Sequence, residues 1–154
     1  MIGRSLSMLT AVLRGQAGSM AIETAIIAPV LVTLSIGGFE IGSIVARQTE
    51  LQTAAAEAAA IVRAATPSTA VERMAIRDVV ATSAGLTSDQ ASVVEIYRCA
   101  DSAAYVTDAS TCDAGVVVNK FIRLTISDTY HPLWAEFGIG NGLTFDVTRT
   151  IQVG

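Results

Sequence analysis

A long apolar segment is the strongest pattern in the chain. It follows Glu23, runs through residues 24–39 without a charged side chain, and after Glu40 continues to Ala46. About 20 consecutive apolar residues in a helix cross the hydrocarbon of a bilayer. The pattern therefore predicts a transmembrane helix over residues 19–46.

The helical pattern continues beyond the apolar segment. Residues 48–65 are rich in alanine, the strongest helix former. A helix over residues 19–66 would be roughly 70 Å long, against about 30 Å of hydrocarbon. We therefore predict that residues 47–66 extend the same helix out of the membrane and pack on the sheet of the same protein.

A second helix is predicted after Pro67, because proline disfavours helix in the residue before it. Thr69 and Glu72 have the spacing of a capping box, and Gly85 is a stop signal. The apolar face predicted for this helix consists of Val71, Met74, Ala75 and Val79.

Three later segments alternate apolar and polar residues, which is the period of a strand with one apolar face. The apolar positions are Val94 and Ile96 in the first, Val116, Val118, Ile122, Leu124 and Ile126 in the second, and Leu143, Phe145, Val147, Ile151 and Val153 in the third. The short connection over residues 128–142 leaves no room for a crossover helix and favours antiparallel pairing. The predicted fold class is α+β: a long N-terminal helix packed on a small antiparallel sheet, with one additional helix, in a head of residues 67–154.

Charge excludes one class of partner and orients the chain. Arg4 and Arg14 are two of the ten basic residues, so eight basic residues follow Gly18, together with all fourteen acidic ones. This acidic balance argues against nucleic acid as a partner, since nucleic acid requires a basic face. The two early arginines favour a cytoplasmic N-terminus, so we expect an exported head. The alternative is a secretory signal peptide, but the apolar core of such a peptide is typically about 7–15 residues long. The apolar segment of this chain is longer, so we expect it to be retained as a membrane span.

Glu23 is a carboxylate near the start of an apolar helix, a position that calls for a partner. Cleavage after Gly18 would make Ser19 the new N-terminus and place its α-amino group on the same helix face as Glu23. The carboxylate would then pair with that amine in its own chain or in a neighbouring subunit. An interfacial glutamate without a role is the alternative.

Three further residues of the apolar segment bear on helix packing. Pro29 frees the carbonyl of Ala25, which a hydroxyl or a neighbouring helix can satisfy, and Thr24 and Thr33 are nearby candidates. Gly38 and Gly42 form a small-xxx-small pair that permits close approach of another helix. The alternative is that glycine is simply frequent in membrane helices.

The string from Gly18 through Glu23 to Pro29, followed by Gly38, Glu40 and Gly42, resembles the TadE-like pseudopilins of tight-adherence (Flp-type) pilus systems. The resemblance implies a pilin-like fold and a prepilin-type leader over residues 1–18. It also implies cleavage between Gly18 and Ser19 by a membrane aspartyl prepilin peptidase, with Glu23 guiding insertion beside other subunits.

The function implied is that of a minor pseudopilin or assembly component of a Tad pilus involved in surface adhesion. Its expected place is the bacterial inner membrane, with the head in the periplasm. The expected partners are prepilin peptidase, other pseudopilins or pilins, and inner-membrane platform proteins of the Tad system. One alternative is an uncleaved single-pass envelope protein whose exported head binds a ligand or a protein. Another is a secreted domain released by signal peptidase.

Cys99 and Cys112 are the only cysteines. In an exported domain we expect them to form a disulfide, whereas in the cytosol two free thiols would be the default. Two thiols and the distant His131 do not make a four-ligand zinc set. No nucleophile or carboxylate can be assigned to His131, so we expect no enzymatic activity, no metal and no cofactor.

Overall fold

The computed structural model of the chain describes residues 16–100, 102–136 and 138–153, with the backbone alone for residues 16–19. The predicted leader therefore lies outside the described residues over positions 1–15. Two compact units divide the chain, one ending at Gly42 and the other beginning at Ser43. Helix α1, Gln16–Ala65, passes through both units without interruption.

The described part of the first unit, residues 16–42, is an apolar helical segment without a core of its own. Its side chains at residues 20–36 are all exposed, although most of them are aliphatic. By length and composition, α1 is a candidate membrane span, and the most apolar part of it is not buried at all within the chain. One apolar helix near the N-terminus is consistent with a single-pass membrane protein.

The second unit, Ser43–Gly154, is called the head from here on, because it joins part of α1 to the predicted head of residues 67–154. It is built on three antiparallel strands in the order β1-β2-β3. These are β1, Ala91–Cys99, β2, Val118–Tyr130, and β3, Leu143–Gln152. In the register of the sheet, Val93 faces Leu124 and Ile122 faces Ile151. Helix α2, Ala70–Ser83, precedes the sheet, and the short helix α3, Leu133–Glu136, lies in the connection between β2 and β3. The predicted α+β class and the antiparallel pairing are confirmed.

The core lies between α1 and one face of the sheet. Leu51, Ala55, Ala58 and Val62 recur every three or four residues along α1 and are 0–1% exposed. They belong to one buried cluster with the β2 side chains at residues 122, 124 and 126. Because alanine ends at its β-carbon, the helix axis can come close to the strands. The packing of residues 47–65 on the sheet is as predicted.

Helix α2 begins at the predicted capping box. The hydroxyl of Thr69 accepts a hydrogen bond from the Glu72 amide at 3.2 Å, and the Glu72 carboxylate accepts one from the Thr69 amide at 3.0 Å. Gly85 follows the helix with a φ of +64°, a left-handed conformation that glycine adopts without steric cost. The start and the end of α2 are therefore encoded locally.

The face of α2 that is buried differs from the predicted one. The four predicted residues, Val71, Met74, Ala75 and Val79, are all exposed. Ile76 and Val80 are buried instead, together with Ala84 at the helix end, and all three belong to the core cluster. The helix carries two apolar stripes, and contact with α1 and β1 selects the second.

A similar correction applies to β1. The predicted face of Val94 and Ile96 points away from the core, while Val93 belongs to the core cluster. Val94 and Ile96 both lie on the face of the sheet opposite the core. Val94 is exposed there, whereas Ile96 is buried and paired in register with Phe121. We call this opposite face the outer sheet face: it carries Ile96 and Arg98 of β1, and Phe121, Arg123 and Thr125 of β2.

Candidate assembly segment and head surfaces

The predicted cleavage pair, Gly18 and Ser19, lies in the first turn of α1. Glu23 lies one turn further along the helix and is exposed among exposed apolar side chains. In a bilayer a carboxylate in such surroundings is costly unless it is paired. The position of Glu23 leaves its carboxylate accessible to a partner.

Pro29 lies inside α1 without ending the helix. The hydroxyl of Thr24 donates to the Met20 carbonyl at 2.8 Å, and the hydroxyl of Thr33 donates to the Pro29 carbonyl at 2.8 Å. Both hydroxyls donate to other carbonyls, so neither candidate satisfies the carbonyl of Ala25. Each hydroxyl instead bonds one turn back along its own helix, which satisfies it inside an apolar segment.

Gly38 and Gly42 leave an open surface one turn apart on α1. A β-carbon built at either glycine would meet no atom within 4 Å. Small residues at this spacing let the backbone of a second helix approach closely in a membrane. Glu40, between them, is 1% exposed, so the two carboxylates of the apolar segment have opposite environments.

Arg47 directly follows the apolar segment and joins three parts of the head. Its Nε donates to Asp128 of β2 at 2.7 Å, and its Nη1 donates to Glu50 at 2.8 Å and to the carbonyl of Ala84 at 3.0 Å. Gln90 donates to the other Asp128 oxygen at 3.1 Å. This network fixes α1 to the end of α2 and to the sheet where the predicted span ends.

A second charged cluster joins α2 to β1. The Glu95 carboxylate forms ion pairs with Arg73 at 2.7 Å and with Lys120 at 3.1 Å. It also accepts a hydrogen bond from the hydroxyl of Tyr97. Burial opposes ionisation of Glu95, but Tyr97, Lys120 and Arg73 together outweigh it and hold the pKa of this carboxyl below its ordinary value. The hydrogen bond to Glu95 in turn raises the pKa of Tyr97. A groove between α2 and β1, lined by Arg73, Met74, Arg77 and Tyr97 among others, adjoins this cluster.

Acid should destabilise the head through Glu95. A carboxyl whose pKa is lowered by folding stabilises the folded chain above its unfolded pKa, and this contribution is lost as the pH falls through the folded pKa. Urea unfolding of the full chain in detergent, from about pH 7 to about pH 3, should therefore show a smaller loss of stability for Glu95→Gln than for the wild type. A pH dependence of Glu95→Gln equal to that of the wild type would contradict the role of Glu95.

Cys99 and Cys112 are joined by a disulfide, with their α-carbons 5.6 Å apart. Val106, within the loop that it closes, exchanges two backbone hydrogen bonds of 2.8 Å with Tyr97 of β1. Tyr105 packs edge-on against Phe121, with ring centroids 5.3 Å apart. The loop is thus held on the outer sheet face.

The sequence had no signal for the charged clusters of the head. Arg47 and Asp128 are 81 residues apart, and Arg73 and Glu95 are 22 residues apart. Only the position of Arg47, directly after an apolar segment, could have drawn attention to it. Over residues 16–153, within the ranges described, no group of three or more His, Cys, Asp or Glu side chains is placed to hold a metal ion.

One protein family matches a segment of the chain. The family model described as TadE-like protein matches residues 18–60. The match begins at Gly18, includes Glu23 and Pro29, and ends in the alanine-rich part of α1, so the resemblance seen in the sequence is confirmed for this segment. The comparisons with curated proteins and with solved structures gave no match.

Proposed function

We propose that this protein is a minor pseudopilin or assembly component of a tight-adherence pilus involved in surface adhesion. The proposal starts from the match of residues 18–60 to the TadE-like family. The family links the chain to Tad pilus assembly in general. The observation that carries the finer proposal is that a single helix supplies both an exposed apolar segment and the central element of a folded α+β head. In this proposal the chain acts by assembling with other subunits and not as an enzyme.

In this proposal, prepilin peptidase cuts between Gly18 and Ser19 in the membrane. The new amine at Ser19 then lies four residues from Glu23, on the same face of the helix. Each charge would be costly alone in the apolar phase, and pairing within the chain or with a neighbouring subunit offsets that cost. Gly38 and Gly42 offer a flat surface on which a second helix can pack.

The proposed location is the bacterial inner membrane, with a cytoplasmic N-terminus and the head in the periplasm. Two observations support it. The network around Arg47 begins the folded head directly after the apolar segment. The disulfide between Cys99 and Cys112 suits an oxidising compartment. Other pseudopilins or pilins and the platform proteins of the Tad system are the proposed partners.

Sequencing the N-terminus of the native protein tests the proposal. We expect Ser19, whereas Met1 would indicate an uncleaved anchored protein, and a residue beyond 46 would indicate a secreted domain. Gly18→Trp should leave the full-length precursor on a gel, because a bulky side chain would stand at the residue before the cut. Gly15→Trp, three residues earlier in the sequence, is the matched control and should be processed. Normal processing of Gly18→Trp would refute the cleavage site.

A further inference from the structure

The outer sheet face holds two arginines in an unusual setting. The Cζ of Arg98 lies 5.2 Å from the ring centroid of Phe121 and 5.9 Å from that of Tyr105, and the Cζ of Arg123 lies 5.3 Å from that of Tyr105. Both side chains are partly buried, and no carboxylate pairs with them among the described residues. The other partly buried basic side chains of the described chain all form ion pairs, namely Arg47, Arg73, Arg77 and Lys120.

This arrangement favours binding of a carboxylate. Two cations flank one ring, so an anion placed between or beside them would relieve their mutual repulsion. The guanidinium groups are held by stacking on aromatic rings, so little side-chain freedom remains to be lost on binding. Arginine and tyrosine are also the residue types that contribute most at protein interfaces.

An exposed carboxylate lies on the opposite side of the same unit. Glu57 is on the side of α1 that faces away from the sheet, since its neighbours Ala55 and Ala58 are buried against the sheet. No ion pair involves Glu57 among the described residues. Glu57 adjoins the small residues Thr53 and Ala60 and the larger exposed Ile61, and it lines a groove with Ser83 at the end of α2. The head thus has cations on one side and an anion on the other.

We propose that the head binds a second copy of this chain head to tail, with Arg98 and Arg123 of one copy contacting Glu57 of the next. The two surfaces differ, so the contact is heterologous and leaves a free surface at each end of a pair. Contacts of this type extend into a filament unless the rotation between copies closes a ring. The inference rests on the proposed function, since it supplies a specific contact between subunits of a pilus system.

Self-association of the full chain in detergent tests the contact. Sedimentation velocity should show dimers and longer oligomers at about 0.05 M salt and their dissociation at about 0.5 M, because exposed charge pairs are screened. Arg123→Glu or Glu57→Arg alone should raise the dissociation constant at least about tenfold, since like charges would face each other. Arg149→Glu makes the same charge change at an exposed position of β3 and should leave association unchanged.

Mixing the two reversed variants is the sharpest test. In a mixture of Arg123→Glu and Glu57→Arg, every alternating contact again joins opposite charges, so association should return. A monomeric wild type, association unaffected by either reversal, or no recovery on mixing would each overturn the proposal. If a reversal variant fails to fold, the milder Arg123→Gln should still weaken association, and the salt dependence of the wild type still tests the contact. Folding of each variant is checked by urea unfolding in detergent, which should show a cooperative transition like that of the wild type.

The contact between copies and the proposed pilus function can be refuted independently of each other. An N-terminus at Ser19 without self-association would retain the pilus role and remove the contact between copies. Self-association with an N-terminus at Met1 would retain the contact and remove the pilus role.

Discussion

Replacing both Cys99 and Cys112 by serine should lower the free energy of unfolding of the head by about 3 kcal/mol. The bridge joins residues 13 positions apart, and in the chain-entropy description a closed loop of this size restricts the unfolded chain by about that amount. The same loop carries Tyr105 and the backbone pairing of Val106 with Tyr97. Loss of the bridge should therefore also free the loop from the outer sheet face.

Urea unfolding of the full chain in detergent, followed by the fluorescence of Trp134, measures this loss. The wild type treated with a reductant should unfold like the double-serine variant. Ala103→Ser introduces a serine into the same loop without touching the bridge and should match the oxidised wild type. Because Tyr105 positions Arg98 and Arg123, the double-serine variant should also self-associate more weakly. An unfolding midpoint equal to that of the oxidised wild type would show that the bridge is not structural.

The elements that the sequence predicted well are those whose signals are local. The alanine-rich segment after Arg47 favours a helix through its intrinsic propensity, independently of what it packs against. Thr69 with Glu72 and the glycine at position 85 mark the ends of α2 through contacts within a few residues. The alternation of Ile122, Leu124 and Ile126 with polar residues specified the inward face of β2 because only one apolar stripe was available.

The faces of α2 and β1 could not be predicted, because both elements carry two apolar stripes. On α2, Met74 and Val79 compete with Ile76 and Val80, and only contact with α1 and β1 decides between them. On β1, Ile96 is apolar but lies under the disulfide loop, next to Phe121, on the face away from α1. Choices of this kind depend on residues far away in the chain, which a short pattern does not contain.

The candidate sites divide in the same way. Gly18, Glu23 and Pro29 could be singled out because their spacing lies within one helix and resembles a known family. Arg98 and Arg123 stand out because they lie near aromatic rings of other segments and pair with no carboxylate among the described residues, so no sequence spacing points to them. The assembly segment could thus be proposed from the sequence, whereas the surface of the head required the folded chain.

Glu23→Gln should be cut normally after Gly18 yet assemble at least about tenfold less well, because an ion in an apolar helix costs roughly 2.5–3.5 kcal/mol at the centre and less near the end. Removing the carboxylate leaves the amine of Ser19 without its proposed partner in the membrane. Glutamine keeps the size and the helix propensity of the side chain, so the change isolates the charge.

The measurement is the fraction of the protein crosslinked to other pilus subunits in intact cells, with the N-terminus of the same sample sequenced. Glu23→Asp retains the charge on a shorter side chain and should restore much of the assembly. Glu57→Gln removes a carboxylate from the head and should leave cleavage at Gly18 unchanged. Wild-type assembly of Glu23→Gln would show that the carboxylate has no role in joining subunits. A block in cleavage would instead place Glu23 in recognition by the peptidase.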